Sequence, residues 1–422
     1  MEPVTLGVVP GPVGEPAAPV PARSPRRGAV ARVLVQVAIV LLLLGCGVLT
    51  TLAVVGDTGV PGLVVGVLLA VVPVFPVVAA FLWLDRYERE PPSLLLFAFA
   101  WGAFVATFVA LVINTSSLEL LRAAGGDTGL VPVAVAPVVE ETAKGLAIVV
   151  VLLLRRREFD GVVDGIVYAG MAGIGFAFVE NVLYLGRTLL DEGGGPTAAV
   201  FVVRCLFSPF AHPLFTAATG LGIGLAVSRR SPLVRVVAPL LGLAVAIALH
   251  ATWNWGATAG LQGFVSRYVW VQVPLFLLAV AVAVAARARE GRLVRRHLGA
   301  YAASGWVTGS EARMLGSLSE RARARDWASR TLGPTARRSM RDFQELGSEL
   351  AFLRERLVRG TAPHDALDTE LRTLQAMWHL RRGFLPRSAQ ELGDVRPQLA
   401  RDATDARGAT DAMDVAGLRG DG

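Results

Sequence analysis

Eight stretches of this 422-residue chain are apolar over the length that crosses a bilayer, at residues 31–55, 60–84, 92–114, 129–154, 161–186, 198–227, 234–257 and 267–286. A membrane pass needs about 20 such residues. Lipid offers no partner to a backbone N–H or C=O, so each pass must close its own hydrogen bonds as a helix. The fold class expected is therefore an all-α polytopic membrane protein with about eight transmembrane helices. Composition agrees: hydrophobic residues are 53% of the chain and charged residues only 18%.

The formal net charge of +7 does not point to nucleic acid, because the arginines stand at the ends of apolar runs and in the C-terminal region. Arg23, Arg26 and Arg27 precede the first run and Arg32 lies at its very start, Arg86 and Arg89 follow the second, and Arg155 to Arg157 follow the fourth. Arg229, Arg230 and Arg235 follow the sixth, and Arg287, Arg289 and Arg292 the eighth. The alternate connections are poor in arginine. Positive charge is retained on the cytoplasmic side, so both termini are expected there. Residues 1–29 read as a disordered cytoplasmic N-terminus and residues 30–288 as the membrane domain. The first run is expected to be a retained helix, since it lacks a small-residue cleavage site. Residues 289–385 carry Arg and Glu with Leu, Met and Trp at helical spacing, expected to form a cytoplasmic helical extension. Residues 386–422 lose that stripe and are expected to be disordered.

Charge inside the apolar runs is the next constraint. The only lysine of the chain, Lys144, lies one turn after two adjacent glutamates in Pro137-Val-Val-Glu140-Glu141-Thr-Ala-Lys144-Gly145. Ionisable groups are costly in a bilayer and usually face a polar cavity or one another. At i,i+4 and i,i+3, Glu140 and Glu141 can each meet Lys144 on one helix. Glu180 follows on the fifth run, His212 on the sixth, and His250 on the seventh with Asn254 one turn later. At about 1.5 Å per residue, Glu180 and His250 sit roughly 10 Å below the outer ends of their helices. By the same count Glu140, Glu141 and His212 lie about 18 to 20 Å down, so one outward-opening cavity is expected.

Such a set has limited chemistry. Glutamate and histidine activate a water for attack on a carbonyl, either through bound Zn²⁺ or as general bases. Asn254 or a histidine can donate to an oxyanion. Neither cysteine neighbours a histidine, and no serine or glycine-rich phosphate motif accompanies the cluster. Peptide hydrolysis by activated water uses what is present. The rival reading is a proton-coupled transporter in which the same Glu, Lys and His groups form a relay.

Taken together, Glu140-Glu141-x-x-Lys144, Phe176-x-x-x-Glu180, His212, His250 and the segment Asp85-Arg-Tyr-Glu-Arg-Glu-Pro-Pro resemble the PrsW family of intramembrane proteases. That family is related to the CAAX prenyl proteases, and the resemblance covers roughly residues 30–290. It implies a protease, of metallo- or glutamate type, that cleaves membrane-anchored protein substrates within the bilayer. In bacteria it also implies regulated proteolysis such as anti-sigma factor cleavage on the extracytoplasmic side. Within that frame Glu141 is expected to activate water, Glu140 to assist it and Lys144 to set the charge of the pair. Glu180, His212 and His250 are expected to hold the metal or the water. Asn254 stands where the family often has Asp, which suits an orienting or oxyanion role.

Overall fold

The computed structural model describes residues 26–156, 159–258 and 260–384. The expectations of disorder for residues 1–29 and 386–422 fall outside these, except for residues 26–29, which form the first turn of a helix instead. Arg23 and Arg157 also lie outside the described residues. Among the described residues all regular structure is helical. The chain divides into two compact units, meeting in sequence at Arg287 and Ala288.

The first unit opens with α1 (Arg26–Ala70), which breaks at Gly59, and α2 (Val74–Leu84). Gly59 has φ 61°, ψ 172°, backbone that a side-chain-bearing residue rarely adopts. There follow α3 (Pro92–Ala100), a π-helical turn Trp101–Ala106, α4 (Thr107–Ala123), a second π turn Val131–Val135, and α5 (Ala136–Leu154). Next come α6 (Val162–Asp191), α7 (Gly194–Phe201), a third π turn Val202–Phe207, α8 (Ala211–Val227) and α9 (Pro232–Ala257). The unit closes with α10 (Gly260–Arg267), a fourth π turn Tyr268–Gln272 and the first half of α11 (Val273–Ala303).

Among the described residues, six helices are long and apolar enough to cross a membrane: Val33–Leu84, Pro92–Ala123, Val162–Asp191, Gly194–Val227, Pro232–Ala257 and Gln262–Ala303. The sequence reading counts eight. The difference has two physical sources. The first two apolar runs form one nearly continuous helical stretch, broken at Gly59 and at the turn 71–73, and α5 concentrates Glu140, Glu141 and Lys144, so it is not purely apolar.

Around α6 the packing is tightest. Val167, Tyr168, Ala169, Ala172 and Leu185 are wholly buried, while Leu34, Leu68, Leu153, Leu233, Leu240 and Leu278 elsewhere in the unit point outward. Outward leucines of this kind suit a lipid-facing surface. Glycine brings α6 and α8 into antiparallel contact. A Cβ on Gly224 would lie 2.4 Å from Gly161 O, and one on Gly165 would lie 2.1 Å from Gly220 O. One on Gly173 would lie 2.7 Å from Pro213 Cα. Small residues let membrane helices approach backbone to backbone when no hydrophobic force separates lipid from protein. Beyond the seam, Glu180 of α6 meets His212 of α8 and Arg204 of the third π turn.

The second unit, described from Ala288 to Phe384, adds α12 (Gly309–Leu315), α13 (Leu318–Leu332), α14 (Pro334–Arg359) and α15 (Ala366–Arg382) to the end of α11. Thr308 and Glu311 form a reciprocal cap on α12, and Ser317 caps α13. Arg321 and Arg325 reach Ser348 and Gln344, pairing α13 with α14 in antiparallel register. Inside, Glu370 accepts from Tyr301 and from Arg354 Nη1 at 3.1 Å.

Candidate active site

Five helices and one π turn build a single buried cluster in the first unit. From α5 come Glu140, Glu141 and Lys144, on the face turned inward; Lys144 and Glu141 are wholly buried. The Lys144 Nζ donates to Glu141 Oε1 at 2.6 Å and stands 3.7 Å from Glu140 Oε2. It also lies 3.1 Å from His212 Nδ1 and 4.0 Å from the centre of the Phe176 ring. His212 comes from the first turn of α8 and His250 from α9, their rings meeting edge to face at 5.0 Å. Phe176 and Phe215 pack against the two imidazoles at 5.4 Å each, closing the site with apolar surface.

Each histidine has its own carboxylate. His250 Nδ1 lies 3.0 Å from Glu141 Oε1, and His212 Nε2 lies 2.7 Å from Glu180 Oε2. A carboxylate only accepts, so in both pairs the facing ring nitrogen carries the proton. That leaves one lone pair per neutral ring: Nε2 of His250 and Nδ1 of His212. Carboxylate–histidine pairs of this kind orient metal-ligating imidazoles.

The two adjacent glutamates differ sharply. Glu141 is saturated, since Oε1 receives Lys144 and His250 and Oε2 receives the Thr216 hydroxyl at 2.9 Å. Glu140 takes one hydrogen bond, from the Asn114 amide to Oε1 at 3.3 Å; its buried Oε2 has none. That oxygen faces His250 Nε2 at 3.8 Å. Two acceptors at that separation have room for one bridging atom that donates or carries positive charge.

A metal ion would meet suitable groups here. Glu140, His212 and His250 each offer one ligand atom, all within 4.8 Å of one another. Carboxylate and imidazole are the donor set of catalytic zinc sites, and the partnerless Glu140 oxygen is the kind of orphan a metal satisfies.

The structure thus brings together six of the seven site residues read from the sequence: Glu140, Glu141, Lys144, Glu180, His212 and His250. Asn254 is not among them. Although it stands one turn from His250, its amide donates to the Pro132 carbonyl at 2.7 Å, tying α9 to the π turn before α5. The level difference counted between Glu180 and His212 also disappears, since their side chains touch. A count of 1.5 Å per residue assumes upright, regular helices, and the π turn before His212 breaks that regularity.

Sequence reasoning missed Arg204, Thr216 and Asn114. Arg204 donates from Nη2 to Glu180 at 2.5 Å and from Nε to Asn181 at 2.7 Å, and stacks on Tyr184. Its only sequence signal is a lone arginine inside an apolar run, which the positive-inside pattern does not need. Thr216 and Asn114 carry no signal that separates them from other polar residues of membrane helices.

Fold and site define a multi-pass helical membrane protein with a glutamate–histidine centre inside its helix bundle. Residues 90–279 match the model of the PrsW family intramembrane metalloprotease. Similar curated proteins are the Protease PrsW of Clostridioides difficile (strain 630), 31% identical over 152 residues, and that of Bacillus subtilis (strain 168), 26% identical over 227. The Geobacillus kaustophilus (strain HTA426) protein of the same name is 31% identical over 157 residues. The match covers 35%, 53% and 36% of this chain respectively. It spans 61% of the C. difficile relative, 94% of the B. subtilis relative and 63% of the G. kaustophilus relative. No solved structure matches the chain.

Proposed function

We propose that this chain is an intramembrane peptidase that hydrolyses peptide bonds of membrane-anchored protein substrates by activated water. The observation that carries the reading is the gap between Glu140 Oε2 and His250 Nε2, two buried acceptors 3.8 Å apart, the first of them without a hydrogen-bond partner. A nucleophilic water belongs there, held by both and losing its proton to one of them.

Glu140 is the carboxylate with capacity to take a proton, since its second oxygen is uncommitted. Glu141, with three donors on it, holds the His250 ring and balances Lys144. This redistributes the roles read from sequence, where Glu141 is the base. Glu180 holds the His212 ring and is itself held by Arg204. The aromatic rings of Phe176 and Phe215 keep bulk water from the imidazoles, which strengthens every charge interaction inside. In the metal-bound form Glu140, His212 and His250 would instead hold the metal that the family description implies, taken to be zinc, and Glu140 would then serve as a ligand rather than as the base. When bound, zinc lowers the pKa of water and polarises the scissile carbonyl. Asn114, whose Oδ1 is buried without a partner, stands beside Glu140 as an acceptor for a substrate N–H.

The arginine distribution supports cytoplasmic termini, and the family resemblance supports a bacterial plasma membrane with the site reached from the outer side. Regulated proteolysis, such as removal of a membrane-anchored anti-sigma factor, is the process that the family resemblance suggests. Cleavage of a co-expressed membrane-anchored reporter tests the assignment. Glu140→Gln, at normal expression, is expected to abolish cleavage, and Glu141→Gln to lower it by about 10- to 100-fold, the usual loss for an orienting partner. Wild-type cleavage by Glu140→Gln would refute the assignment.

A further inference from the structure

We propose that the Lys144 ammonium and a divalent metal ion are alternative occupants of one place, so that the lysine is the resident cation of the metal-free site. The proposal rests on the metal reading given above and goes beyond it.

It follows from the lone pairs of His212. Arg204 anchors Glu180 through Nη2 at 2.5 Å, and the anchored carboxylate receives the ring from Nε2 at 2.7 Å. A neutral imidazole has one N–H, so Nε2 spends it on Glu180 and Nδ1 keeps the ring's only lone pair. An ammonium has three N–H groups and no acceptor. Lys144 Nζ, 3.1 Å from Nδ1, therefore donates into that lone pair. A metal bonded to His212 needs the same electrons. While Glu180 holds Nε2–H, metal and lysine are competitors for them.

Charge makes the same point. Lys144 Nζ touches Glu141 Oε1 at 2.6 Å, stands 3.7 Å from Glu140 Oε2, and has the Phe176 ring on another side at 4.0 Å. Carboxylate oxygens, an imidazole nitrogen and an aromatic face are what a cation seeks, and the ammonium, wholly buried, has all of them. A divalent ion entering among Glu140, His212 and His250 adds its charge beside one already there. Its arrival expels the ammonium from His212. Without metal, the lysine spares the site a pair of uncompensated buried carboxylates, a costly arrangement. The metal-free chain is thereby stable, and its affinity for metal is reduced by the work of moving the lysine.

Zinc titration of the purified full-length chain in detergent, against a chromogenic chelator, tests this. Lys144→Met keeps length and removes charge. It is expected to bind Zn²⁺ at least tenfold more tightly than the wild type. Chelator should also lower its unfolding temperature, and added zinc restore it, to a degree the wild type does not match. Equal or weaker affinity in Lys144→Met overturns the competition while leaving the metal reading standing. Zinc binding by neither protein overturns both. Should Lys144→Met fail to fold, ¹⁵N-histidine spectra of the wild type decide, with His212→Gln to assign the ring. Zinc is expected to shift His212 Nδ1 and leave Nε2 protonated. Loss of the Nε2 proton on zinc addition would overturn the proposal.

Discussion

Gly173 offers a way to stretch the site by a known amount. A methyl group there would lie 2.7 Å from Pro213 Cα, 2.8 Å from Pro213 N and 2.9 Å from His212 O, against an ordinary contact of 3.4 Å. All three are backbone atoms and cannot rotate aside. In Gly173→Ala the start of α8 must therefore move away from α6 by about 0.7 Å. Carried to the His212 ring, that lengthens the 2.7 Å contact with Glu180 to about 3.4 Å, past the ~3.2 Å limit of a useful hydrogen bond. A lost hydrogen bond to a charged partner costs about 1.5–3 kcal/mol, equivalent to about 10- to 150-fold in activity. Gly165→Ala is the control. Its methyl would meet Gly220 O at 2.1 Å, a larger clash, but eight residues from Gly173 and so about 12 Å along α6. Overpacking costs about 1–3 kcal/mol or more. Gly165→Ala should therefore lose more thermal stability in detergent, and Gly173→Ala more reporter cleavage per folded molecule. Wild-type cleavage by Gly173→Ala, or greater loss of cleavage in Gly165→Ala, would refute a seam that sets the His212–Glu180 distance.

Two further outcomes are expected. Asn254→Ala removes the bond to Pro132 O and should cost about 1 kcal/mol of stability, with reporter cleavage kept within about threefold once folded protein is counted; a hundredfold loss would return Asn254 to the chemistry. In the second unit the hydrogen bond from His297, aided by the charge of Arg359 and opposed by burial, holds Glu355 down at about 2. A carboxylate lowered on folding stabilises above its unfolded value of about 4.3 and loses that contribution as pH falls. Acid should therefore weaken this unit between about pH 4 and pH 2, and Glu355→Gln should flatten that limb when unfolding is followed by tryptophan fluorescence.

The helical class and the charged cluster were legible because lipid leaves little choice: apolar runs of ~20 residues become helices, and charge among them finds charge. Glu140, Glu141 and Lys144 were within reach because spacing along one helix determines their shared face. Helix rotation and contact geometry were not. Asn254 has the right spacing from His250, yet its helix turns it toward Pro132. Arg204 looks like an end-of-helix arginine until a π turn sets it against Glu180. Likewise Glu140 and Glu141 are identical as letters. Only the placement of Thr216 and Asn114 from other helices makes one carboxylate saturated and the other open.

The burial of α6 bears on how such a chain can change over time. Where a helix borders acyl chains, as along much of α1, α9 and α11, one oily side chain can replace another with little consequence. Along α6 the neighbours are backbone atoms, and Gly165, Gly173 and Gly175 each stand where a single methyl group has no room. Drift in sequence is therefore steered to the rim of the bundle, while the axial helix is held by sterics that have nothing to do with chemistry.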